Sequence, residues 1–168
     1  MKKKNMLSMM LAGCLALSLT ACGGSSESSD ASDNSAASGD SGTITLGMIG
    51  PLTGSVAVYG THIENGVKLA IEEINAAGGD IQFELQSEDD VADGETSVNA
   101  YNTLMDWGMQ MLMGTVTSTP CVSVAAKTAE DNMFQLTPSG SSVECVQNDN
   151  AFRVCFSDPD QGKKSAQY

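Results

Sequence analysis

MQMLMGTVTSTPCVSVAAKTAEDNMFQLT, residues 109–137, contains a strand, a helix and a second strand in succession. Met109 to Gly114 is nearly all apolar, the pattern of a strand covered on both faces. Thr119 to Asp131 follows as a helix, with Val122, Ala125, Ala126 and Ala129 on one side. Met133 to Thr137 is apolar again and predicts another strand. A strand that passes through a helix into a further strand is the repeating unit of a parallel sheet.

The same alternation extends in both directions. Upstream, Ile44 to Gly50 predicts a strand. Tyr59 to Ala77 predicts a helix, because Ile63, Val67, Ala70, Ile71 and Ile74 form one apolar stripe. Gly78 and Gly79 end it as a C-cap would. Ile81 to Ser87 alternates apolar and polar residues and reads as a strand. Glu95 to Trp107 reads as a helix with Val98, Tyr101, Leu104 and Met105 inward. Downstream, Phe152 to Phe156 predicts a fifth strand. A last helix then starts with Asp158 as cap, Pro159 at its first position and Gln161 as capping-box partner. The expected fold is therefore α/β: an open parallel sheet of about five strands, with helices on both faces.

The first residues carry a different signal. Lys2, Lys3 and Lys4 precede an apolar run from Met6 to Leu19, which is shorter than the ~20 residues a membrane-spanning helix needs. Residues 1–21 therefore read as a signal peptide. Leu19-Thr20-Ala21-Cys22 resembles the lipobox of bacterial lipoproteins, which implies cleavage before Cys22 and lipidation of its thiol. After Cys22, the rest of residues 22–42 is Gly, Ser, Ala, Asp and Asn with one Glu, too polar to bury a core, and the stretch reads as a flexible tether. The folded part is expected over residues 43–168.

The chain has 168 residues, with 8 Lys and Arg against 21 Asp and Glu, a formal net charge of −13. Such an acidic balance argues against nucleic acid and against electrostatic attachment to anionic lipid. Contact with a membrane would come from the N-terminal lipid alone. Of 5 cysteines, Cys14 leaves with the signal and Cys22 takes lipid. Cys121, Cys145 and Cys155 remain, which allows one disulfide and one free thiol. No C-x-x-C occurs, and His62 is the sole histidine, so no zinc site is expected. Asp89-Asp90 caps a helix or faces solvent more readily than it holds a metal. No G-x-S-x-G elbow and no G-x-G-x-x-G follows a strand, so neither an enzyme nor a nucleotide-cofactor site is expected.

In an open parallel sheet, ligands bind at the carboxyl ends of the strands. Three of the five loops there are rich in Ser, Thr and Gly: Gly50–Ser55, Gly114–Thr119 and Thr137–Ser142. Ser118 and Thr119 also open a helix, where free N–H groups and the helix dipole favour an anion such as a carboxylate.

Together these marks resemble the branched-chain amino acid binding proteins of ABC importers, of the type I periplasmic-binding fold. The marks are Gly50-Pro51-Leu52-Thr53-Gly54 with Tyr59-Gly60, Ile74 to Gly79, Asp89-Asp90, the Thr/Ser run after Gly114, Thr137-Pro138-Ser139, and Phe152-Arg153 leading to Asp158–Gly162. The resemblance implies that Ser118 binds a ligand carboxylate, that Ser139 and Ser141 add backbone and hydroxyl contacts, and that Tyr59 lines the cleft. It places Gln161 near the hinge between lobes. It implies a small amino acid as ligand, ABC permease and ATPase subunits as partners, and a place for this chain at the outer face of the cell membrane or in the periplasm. A ligand-sensing module of a signalling or amide-regulatory system, or a non-functional fragment, is the alternative reading. Family members carry a second lobe, so the chain reads as the first lobe of two, with the second missing. The resemblance leaves the cysteines open. Cys121–Cys145 is preferred to Cys145–Cys155, because the third and fourth strand loops should be neighbours.

Overall fold

The computed structural model describes residues 42–168. The expected signal peptide, the lipidated Cys22 and nearly all of the tether lie outside the described residues. Five strands and four α-helices alternate: β1 Thr43–Gly50, α1 Ala57–Ala76, β2 Gln82–Asp89, α2 Gly94–Trp107, β3 Met111–Gly114, α3 Ser118–Glu130, β4 Gln135–Thr137, β5 Ala151–Arg153 and α4 Asp158–Ser165. A short 3₁₀ turn, Val143–Val146, stands between β4 and β5; the sequence pattern did not reveal it.

All strand pairs are parallel, in the order β2-β1-β3-β4-β5. The direction of winding reverses between β1 and β3, the position where open sheets bind ligands. Right-handed crossovers place α1 on one face, and α2 and α3 together on the other. Register sets Gly50 beside Asp89, Ile49 beside Gly114 and Thr137 beside Arg153, so the carboxyl ends form one rim.

The core lies on the α2/α3 face and contains Ile49, Ala100, Tyr101, Leu104, Met109, Leu112, Val124 and Met133. Each large apolar side chain buried there contributes roughly 1.5–3 kcal/mol. In α2, Tyr101 and Leu104 are fully buried, and Val98 and Met105 pack against the core's edge. The small residues Ser97 and Ala100 are buried beside them, where they let α3 approach closely.

Two expectations about helices need correction. The buried face of α3 is Pro120, Cys121, Val124, Ala125 and Thr128, whereas Val122 is 40% exposed. The pattern missed this because a polar residue sits inward: Thr128 donates its hydroxyl to Gln135 Oε1 at 2.7 Å and so carries no unmet polar group inside. In α4 the cap is Ser157, not Asp158. Its hydroxyl accepts from the Asp160 amide at 3.2 Å, so Asp160 rather than Gln161 holds the partner position.

The α1 stripe is not sealed. Ile63, Val67, Ala70, Ile71 and Ile74 line an open apolar groove of about 390 Å³ with Leu46, Phe83, Met113, Pro138 and Val154. Asn75 closes the sheet's outer edge instead: its amide pairs both ways with the Phe83 backbone, at 2.9 Å each. That occupies a stretch of the otherwise unpaired edge of β2.

Candidate functional site

The rim is tied together by polar side chains from three loops. Asp89, at the end of β2, accepts from the Leu52 amide at 2.8 Å, from the Val91 amide at 2.9 Å and from the Thr53 hydroxyl. Burial pushes its carboxyl up, but these donors outweigh burial and hold it below the usual range. The Pro51–Ser55 loop is thereby fixed over the end of β1. Gly60 makes this possible, since a Cβ there would collide with the Pro51 carbonyl.

Ser118 begins α3, and its Oγ accepts from the Ser141 amide at 3.1 Å and the Ser142 amide at 3.3 Å. Among the described residues its hydroxyl appears only as an acceptor, from these two amides. The first-turn amides of Ser118 and Thr119 have no helical carbonyl to bond. One hydroxyl and two amides therefore stand at the positive end of the α3 dipole, a donor set suited to a carboxylate. Ser118, Thr119, Val122, Ser123, Ser142 and Glu144 line a shallow cavity of about 360 Å³ here.

Arg153, at the end of β5, was not singled out as a site residue. Its Nη1 donates to the carbonyls of Ser142 at 2.9 Å, Ser141 at 3.1 Å and, at longer range, Gly140 at 3.4 Å. The Ser141 carbonyl also accepts from the Asp158 amide at 3.0 Å. The Gly140–Ser142 corner is thus held by α3, β5 and α4 at once. The short spacing from Thr137 to Arg153 gave no signal of this; only the β4–β5 pairing brings the guanidinium under the loop.

The expected site residues divide. Ser118, Thr119 and Ser141 come together. Ser139 lies in the same loop, but its hydroxyl donates to the Val116 carbonyl at 2.5 Å and so is committed to joining the β3 and β4 loops. Tyr59 is 60% exposed in the first turn of α1 and makes no side-chain hydrogen bond to the serine corner. Gln161 faces a separate depression with Phe156, Asp160, Lys164 and Ser165. Cys121 and Cys145 are both buried directly beneath the corner, as free thiols. Among the described residues there is no cluster of metal-binding side chains, and no helix long and apolar enough to cross a membrane.

The fold and rim define an open, doubly wound α/β lobe with its polar donors at the carboxyl ends of the strands. The profile of the periplasmic binding protein family matches residues 43–168, and the chain belongs to that family. The Leu/Ile/Val-binding protein BraC3 of Rhizobium johnstonii is 33% identical over 129 residues, covering 74% of this chain and 35% of that protein. Among solved structures, the branched-chain amino acid transporter substrate-binding protein LivJ of Streptococcus pneumoniae, in complex with isoleucine, superposes with a TM-score of 0.65 at 28% identity, covering 69% of this chain and 34% of that one. The leucine-binding protein LivK of Thermotoga maritima gives 0.67 at 25% identity, covering 73% and 35%. The chain spans about a third of the length of the curated relatives it matches.

Proposed function

We propose that the chain is the first lobe of an extracytoplasmic solute receptor that delivers branched-chain or other small amino acids to an ABC permease and its ATPase. The observation that carries this reading is the Ser118 corner: a hydroxyl and two unpaired amides at a helix N-terminus. These would bind the carboxylate, with Ser141 beside it and Tyr59 at the cleft edge. The family's relatives named for Leu, Ile and Val support the solute class. Gln161 would sit toward the second lobe.

The test is an NMR titration of the chain with leucine, isoleucine, valine and their amides at millimolar concentration. Shifts should concentrate at Ser118, Thr119 and Ser141, and the amides should bind more weakly for want of the carboxylate. Ser118→Ala should raise Kd tenfold or more, a loss of ~1.4 kcal/mol. Shifts that avoid this corner with every neutral amino acid would refute the assignment.

The receptor is held at the membrane through a lipid on Cys22, with residues 23–42 as its tether. Each buried methylene contributes about 0.8 kcal/mol, so a multi-chain anchor is stable. Cys22→Ala should move the protein from the membrane to the soluble fraction; retention of the variant on membranes would disprove the anchor.

A further inference from the structure

We propose that Cys121 and Cys145 form a disulfide that locks the serine corner of the ligand rim. The two thiols come from different elements, the first turns of α3 and the 3₁₀ turn, yet converge on one point. A Cβ added to Gly140 would lie 3.1 Å from Cys145 Sγ and 3.4 Å from Cys121 Sγ. Cys121 Sγ is 3.9 Å from the Cys145 carbonyl, and Cys145 Sγ is 3.8 Å from the Ser118 carbonyl. A side chain at 140 would crowd the Thr137 hydroxyl at 2.7 Å and press on the Cys145 sulfur. Cys155 is partly exposed, and no hydrogen bond among the described residues joins it to either sulfur.

The surroundings are polar, which is unlike the apolar setting of an inert buried thiol. Gln135 Nε2 donates to Cys121 Sγ at 3.3 Å, and the sulfur lies near the positive end of the α3 dipole. The contact with Cys145 lowers the Cys121 thiol against the cost of burial, and the same contact raises Cys145.

The oxidant is an external disulfide. The thiolate of one of the two cysteines, taken as Cys121, attacks one of its sulfurs, a mixed disulfide forms, and one thiolate leaves. Cys145 gives its proton to solvent, and its thiolate displaces the second leaving thiolate from Cys121. Two protein thiols are oxidised and one external disulfide is reduced. Both sulfurs are buried, so the exchange takes place while the corner is open during folding. The supply of oxidant in the cell rests on the extracytoplasmic reading above, whereas the chemistry does not.

The link joins α3 to the turn that follows Ser141 and Ser142. It would hold both amides on Ser118 Oγ, fixing the corner before a ligand arrives.

The full chain is refolded in a series of glutathione redox buffers, quenched in acid, alkylated in denaturant and mapped by mass spectrometry. Among Cys121, Cys145 and Cys155, oxidising buffers should yield one cross-linked pair, Cys121 with Cys145, with Cys155 alkylated. The Cys155→Ser variant should give the same pair. Cys121 and Cys145 both alkylated at the most oxidising ratio, or linkage through Cys155, would overturn the proposal. Hydrogen exchange of the oxidised and reduced chains separates the lock from a mere cross-link: the Ser141 and Ser142 amides should exchange several-fold faster after reduction. Equal rates would overturn the locking role. These readouts use no ligand, so they stand or fall apart from amino acid binding.

Discussion

Asp90 shows how one residue of the rim differs from its neighbour. Asp89 is surrounded by donors, whereas Asp90 is fully buried with only the Ala92 amide on Oδ1, and Oδ2 has no partner among the described residues. Burial first, then the charges of Asp89 and Asp93, push its carboxyl up to about 6. The folded protein thus holds this proton more tightly than the unfolded chain, whose aspartate titrates near 3.9. Between those values the native state binds more protons, so stability falls as pH rises through the window and stays lower above it. Asp90→Asn should keep the shape and the Ala92 bond while removing the buried charge. Melting in denaturant should show it more stable than the parent at pH 7, by up to about 3 kcal/mol, with the gap closing toward pH 4. A gap independent of pH would assign the effect elsewhere. Ser118 belongs to the same scale, since its one oxygen satisfies two amides. Its loss strands both, at roughly 1–3 kcal/mol for each amide left dry, so Ser118→Ala should cost stability as well as affinity.

At the scale of elements, the α2/α3 pair carries the core, and α1 contributes little to it. Leu104→Ala, at the centre of that core, should cost 2–5 kcal/mol in denaturant melts, as buried leucines generally do. The equivalent truncation on the α1 stripe should cost much less, because only Gly60 of α1 is fully buried. Helix ends were legible in part: Gly78 was read from the sequence as the end of α1, whereas Asp93 and Gly108 were not singled out and the α4 cap fell one residue off. Asp93 caps α2 through the Thr96 amide at 2.8 Å, and Gly108 follows it with φ +95°; Gly78 follows α1 with φ +73°. Cap chemistry is local, so it shows in the sequence. Helix faces were less legible. The α3 stripe was placed on Val122 and Ala126, and the structure turned it toward Cys121, Val124 and Thr128. Alanine, threonine and cysteine differ little in apolarity, so the pattern there is shallow, and a partner such as Gln135 decides which side goes in.

At the scale of the whole molecule, the sheet has one well-covered face and one open groove beside α1. Val154, Ile74 and Leu69 are 71%, 48% and 56% exposed on or near it. The chain should therefore bind an apolar dye strongly. Ile71→Lys should weaken the dye signal while shifting stability by less than about 1 kcal/mol, since this side chain is only half-buried. An unchanged signal would mean the dye sits elsewhere. Net charge acts at this scale too: at −13, mutual repulsion opposes association through the groove.

The sequence by itself determined the strand and helix order, the parallel sheet and the edge where polar loops gather. Those follow from periodicity and from cap residues, which act over a few positions. Only the tertiary structure decided that Ser118 meets Ser141 and Ser142, that Arg153 clasps their carbonyls and that Cys121 faces Cys145. Tyr59 and Ser139 likewise had no sequence signal for where their side chains turn. The physical reason is that these contacts join helix, loop and turn residues that follow separate strands, with Arg153 at the end of β5, and strand register, which no local pattern encodes, sets the distances between them.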